Sequence, residues 1–98
     1  MQMIRTAVAA AAVLALTGAA FAADAPPGAS SCSGCHPAAR FVATPVPRLN
    51  GRDAAQIVAA MADFKTGKRP TTVMDRIAKG FTDDETKAIA AWYAAQKD

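Results

Sequence analysis

An all-α fold is expected from three observations. Apolar residues recur at three- and four-residue steps through 52–65 and again through 82–96, no stretch alternates with a period of two, and segments rich in proline and glycine separate the periodic ones. The pattern gives three principal helices joined by long loops. Loops of about 12 residues without regular structure are uncommon in compact domains unless they serve a function. Two such loops here are placed to wrap a ligand.

The first helix is expected to start near Pro27 and to run through Cys32-Ser33-Gly34-Cys35-His36. Pro37 ends it, because an interior proline removes a backbone donor and clashes with the preceding turn. From there to Gly51 the prolines at 37, 45 and 47 argue for an ordered loop. The second helix follows from Ala54, Ile57, Val58, Met61, Ala62 and Phe64, which share one face between Arg52 and Lys65, with Gly67 placed to terminate it. Residues 68–73 are irregular around Pro70, and Met74 to Lys79 can form a single helical turn closed by Gly80. The last helix carries the strongest start signal. Thr82 with Glu85 three positions later is a capping box, and Phe81 just before it can act as a hydrophobic staple. Ile89, Trp92 and Tyr93 then give the helix a core-facing stripe, flanked by Thr86 and Gln96.

The chain has 98 residues and is 52% hydrophobic, but much of the apolar weight lies at the N-terminus. Arg5 precedes an apolar run from Ala7 to Leu16, and Ala20-Phe21-Ala22 offers the small-x-small pattern cut by signal peptidase. Residues 1–22 therefore read as a secretory signal peptide. An uncleaved membrane anchor would need about 20 apolar residues, and Thr17-Gly18 interrupt the run. Membrane insertion is not expected once the signal is removed. What remains, residues 23–98, carries ten basic and eight acidic residues and only five aromatics.

That size excludes a second domain and a large catalytic scaffold. Below roughly 80 residues a hydrophobic core supplies only about 3–5 kcal/mol, so proteins of this size often carry disulfides, a metal or another staple. Nothing beyond a modest excess of basic residues favours nucleic acid as a partner.

Cys32-Ser33-Gly34-Cys35-His36 is a C-x-x-C-H sequence, which reads as a site for covalent attachment of c-type haem. Three residues apart on one helical turn, both thiols face the same way and can add to the two vinyl groups on one porphyrin edge. The next residue brings an imidazole beneath the ring. Attachment of this kind takes place outside the bacterial cytoplasm, so motif and export signal support each other. A zinc site would need four ligands, and the chain offers only these three. A thioredoxin-like pair would need a βαβ context, which is absent, and a plain short-loop disulfide is the remaining competitor.

The sixth iron ligand decides what such a haem does. His36 is the only histidine in the chain, which excludes bis-histidine ligation within one subunit. Met61 lies within an amphipathic stripe, where methionine usually fills core. Met74 follows Pro70 on a segment long enough to cross the far face of the ring, and it is the favoured ligand. A thioether ligand raises the reduction potential and leaves no open position for substrate. The alternative is a catalytic or gas-sensing haem protein with a labile sixth ligand.

Taken together, Cys32 to Pro37, Pro47-Arg48-Leu49-Asn50-Gly51, Met74, and Thr82 to Glu85 leading into Trp92-Tyr93 resemble a class I cytochrome c. The resemblance implies the class I fold around one covalent haem c per chain, with His36 and Met74 as axial ligands and electron transfer as the activity. It also implies that the Pro47 carbonyl receives the ring N–H of His36, and that the first and last helices cross with an aromatic of the last helix, Trp92 first and Tyr93 second, at the contact. The stretch Thr72 to Glu85 is further similar to the haem domain found in cytochrome subunits of flavocytochrome c sulfide dehydrogenases. That implies a redox protein partner, in this case a flavoprotein sulfide dehydrogenase subunit; with the export signal, the expectation is a periplasmic electron-transfer protein, either a diffusible carrier or the haem subunit of such a dehydrogenase. Lys68, Arg69, Arg76 and Lys79 flank Met74; they read either as a solvated surface with slight excess charge or as a ring that steers the haem edge toward an acidic partner.

Overall fold

A computed structural model describes residues 24–97; the expected signal peptide, residues 1–22, lies outside them. Among the described residues the regular structure is all helical, in the order α1 (Ala29–Ser33), α2 (Ala54–Thr66), α3 (Met74–Ala78) and α4 (Asp83–Ala94).

The first helix is shorter than the sequence pattern predicts. Its serines bond back into their own turn, Ser31 Oγ to the Gly28 carbonyl at 2.6 Å and Ser33 Oγ to the Ser30 carbonyl at 2.8 Å. Such local side-chain bonds compete with helix propagation, and Gly34 caps the C-terminus. The turn is not lost, however. Cys35 and His36 both donate their backbone N–H to the Cys32 carbonyl, at 3.2 and 2.9 Å.

The start of α2 is set by Asp53, whose carboxylate accepts from the backbone N–H of Ala55 and Gln56 at 2.8 and 3.2 Å. That cap moves the start from the expected Arg52 to Ala54. Gly67 ends the helix in the left-handed conformation, φ 77°. Thr71 accepts the Met74 N–H at 2.8 Å and so opens α3. The capping box of α4 is complete: Glu85 donates its N–H to Thr82 Oγ1 at 3.2 Å, and Thr82 donates its N–H to Glu85 Oε1 at 3.1 Å.

Helix α2 packs on both α4 and α3. The buried centre is small, formed by Ala29, Ile57, Ile89, Ala90 and Tyr93, with Leu49, Val58, Met61, Phe81 and Trp92 partly buried around it. The first and last helices meet through Tyr93, which is 2% exposed and donates its hydroxyl to the Ala29 carbonyl at 2.5 Å. This corrects the expected order of the two aromatics. Trp92 instead stands edge-on to Tyr93, with ring centroids 4.9 Å apart. The long loop is latched to the same helix end, where Gly51 donates its N–H to the Tyr93 carbonyl at 3.0 Å.

Candidate haem site

A cavity of about 680 Å³ opens between the end of α1, the 45–49 loop, α2 and the segment from Arg69 to Ile77. Cofactor sites commonly enclose about 300–1,000 Å³. All five residues selected from the sequence line this one cavity: Cys32, Cys35, His36, Pro47 and Met74. Met61 lines it as well.

Each chemical group arrives by a local device. The turn that continues past α1 carries the two thiols and the imidazole on consecutive backbone bonds to the Cys32 carbonyl. Cys32 is half-buried and Cys35 exposed. Burial pushes the Cys32 thiol above its ordinary pKa, offset in part by a hydrogen bond with Ser31.

His36 Nδ1 lies 2.5 Å from the Pro47 carbonyl oxygen. A carbonyl only accepts, so Nδ1 carries the proton and the lone pair is on Nε2. This is the tautomer a metal ligand needs.

The rest of the wall is apolar. Ile57, Phe64, Phe81 and Ile89 contribute to it, and so do Val73 and Ile77, which are 53% and 39% exposed. Large aliphatic side chains left this open are suited to contact with a flat hydrophobic ring. Thr86 also lines the cavity, and its buried hydroxyl has no protein partner. Two thiols, an imidazole and a thioether around an apolar slot fit haem c by the chemistry of the donor set. Among the described residues no group of three or more His, Cys, Asp and Glu side chains is placed to hold a bare metal ion.

Positive charge borders the site. Arg52 and Arg69 line the cavity. Arg69 is paired with Asp63 at 3.8 Å and lies over the Phe64 ring at 5.6 Å, while Lys68, Arg76 and Lys79 are exposed. The sequence pattern did not single out Arg48 within the Pro47-to-Gly51 segment. Its Nε donates to the Ala38 carbonyl and its Nη1 to the Asn50 carbonyl, the latter at 3.3 Å.

No family model matches the chain. Among curated proteins it is 40% identical over 63 residues to the cytochrome subunit of sulfide dehydrogenase of Chlorobaculum tepidum, an alignment covering 64% of this chain and 57% of that one. It is 40% identical over 73 residues to the thiosulfate dehydrogenase electron acceptor of Thiomonas intermedia, covering 70% of this chain and 34% of the relative. Cytochrome c4 of Pseudomonas aeruginosa is 37% identical over 89 residues, covering 86% of this chain and 44% of the relative. The chain thus spans about half or less of the length of these relatives.

An all-helical scaffold with a C-x-x-C-H turn at an apolar slot defines a small haem-binding domain. With these relatives, the chain belongs to the class I c-type cytochromes.

Proposed function

We propose that this chain is a monohaem electron-transfer protein of the periplasm, working as residues 23–98 after removal of residues 1–22. The observation that carries the reading is the His36–Pro47 hydrogen bond at the edge of a cavity that also holds Cys32, Cys35 and Met74. Cys32 and Cys35 would hold one haem c covalently as thioethers. His36 Nε2 and Met74 Sδ would hold the iron. The bound group supplies a one-electron Fe(III)/Fe(II) couple.

The chain's own residues do the rest. The Pro47 carbonyl fixes the imidazole tautomer and raises its basicity, and the thioether of Met74 favours Fe(II). Val73, Ile77, Phe64 and Ile89 keep water from the ring. Met74 is favoured over Met61 because Met61 also packs against the buried centre, whereas Met74 opens α3 and is not among the residues packed on that centre.

The partner is a redox protein. A flavoprotein subunit that oxidises sulfide is the reading suggested by the relative named as the cytochrome subunit of sulfide dehydrogenase. The exposed cations Lys68, Arg76 and Lys79 favour an acidic docking face. Transfer should slow as ionic strength rises, since the Debye length falls to about 8 Å at physiological salt.

The experiment is a redox titration of the exported holo-protein, followed by exposure of the reduced form to carbon monoxide. Uptake of one electron per chain with no carbon monoxide adduct is expected. Rapid adduct formation would show an open sixth position and overturn the carrier assignment in favour of a catalytic or gas-sensing haem.

A further inference from the structure

The His36–Pro47 hydrogen bond joins two stretches of chain on either side of an exposed loop. The connecting residues 38–45 are exposed and contain no helix, and Phe41 at 97% exposure packs on nothing. A second cross-link lies beside the first. Arg48 Nε donates to the Ala38 carbonyl, two residues after His36, and Arg48 Nη1 donates to the Asn50 carbonyl at 3.3 Å. The two links are adjacent rungs, His36 to Pro47 and Ala38 to Arg48.

Arginine suits this position because its planar fork donates in two directions at once, which a lysine ammonium on a flexible stem does not reproduce. The bond it guards matters electronically. A ring N–H held firmly on a carbonyl makes the imidazole a stronger donor, and a stronger donor stabilises Fe(III).

We propose that Arg48 is a positioning residue of the haem site: its guanidinium ties Ala38 to Asn50, keeps the Pro47 carbonyl on His36 Nδ1, and thereby sets the reduction potential. The proposal rests on His36 being the iron ligand. That assignment is read separately, from hyperfine shifts of the His36 ring protons in the oxidised protein.

The test compares holo-protein carrying Arg48→Lys or Arg48→Gln with the wild type by midpoint potential, hydrogen exchange at His36 Nδ1 and thermal unfolding. Arg48→Lys keeps the charge and loses the fork. It should raise the potential and speed exchange at His36 Nδ1 by roughly ten- to hundredfold, the range expected for losing a hydrogen bond to a charged group.

An Arg48→Lys protein with wild-type potential and exchange, paired with a lowered potential in Arg48→Gln, would reduce Arg48 to a charge and overturn the proposal. So would a lower unfolding temperature with potential and exchange unchanged. In the wild type itself, Arg48 Nε–H and His36 Nδ1–H should exchange through a common opening. A freely exchanging Arg48 Nε–H beside a protected His36 contradicts the proposal even without a variant. Absence of the hyperfine shift at His36 would overturn the ligand assignment itself, whatever Arg48 does.

Discussion

Tyr93 donates its hydroxyl to the Ala29 carbonyl at 2.5 Å, joining the last helix to the first across 64 positions of sequence. Tyr93→Phe keeps the ring and removes that hydrogen bond, which should cost about 0.5–1.5 kcal/mol. Thermal unfolding should fall by roughly 4–8 °C per kcal/mol for a domain of this size, with the haem spectrum unchanged. Burial also raises the Tyr93 pKa. Stability from the neutral hydroxyl is therefore complete below the pKa of a free tyrosine and lost as pH rises through the higher folded value. Tyr93→Phe should remove this alkaline loss, and an unchanged alkaline profile would refute it.

Gly28 enters α1 at φ 87°, and a Cβ there would lie 2.6 Å from Phe81 Cε1. Gly28→Ala should cost about 1–2 kcal/mol for the left-handed backbone alone, and more for displacing Phe81. Chemical denaturation should show a lower midpoint at unchanged slope.

The exposed Glu85 carboxylate has its pKa lowered, chiefly by the Thr82 backbone N–H and next by the Thr82 side chain. A depressed folded pKa means that the cap's contribution is present above the ordinary glutamate value and lost as pH falls through the folded one. Helix content followed during acid titration should show this loss, and Glu85→Ala should lower stability at neutral pH while abolishing that part of the acid dependence.

The protein centre is small, and Val73 and Ile77 remain 53% and 39% exposed at the cavity. A Cys32→Ala/Cys35→Ala chain without haem should therefore lose most of its far-ultraviolet helix signal and its cooperative melt. A sharp transition in the haem-free chain would contradict the view that the cofactor completes the core.

Much of this was legible in the residues. The Thr82–Glu85 box, the stop at Gly67 and the C-x-x-C-H turn each encode their geometry within a few positions, and the structure reproduces them. The Asp53 cap left a signal, an acidic residue before an alanine-rich helix with Gln56 three positions on. That signal was overshadowed by the apolar periodicity starting beside it.

Other features were not local. Trp92 and Tyr93 are neighbours on one helix, and which of them faces α1 depends on the rotation of α4, which packing sets. The length of α1 turned on serine side chains folding back into their own turn. Arg48 was invisible as a functional residue because its partners, Ala38 and Asn50, are backbone carbonyls that any residue type supplies.

The most direct measurement of the ligand assignment is the visible spectrum of the oxidised holo-protein beside Met74→Ala and Met61→Ala. The weak band near the red end that marks methionine bound to Fe(III) should be present in the wild type and in Met61→Ala. Met74→Ala should lack it, with a large fall in potential and a newly reactive iron. A band that survives Met74→Ala, or that disappears in Met61→Ala, would contradict the assignment of His36 and Met74 as the axial pair.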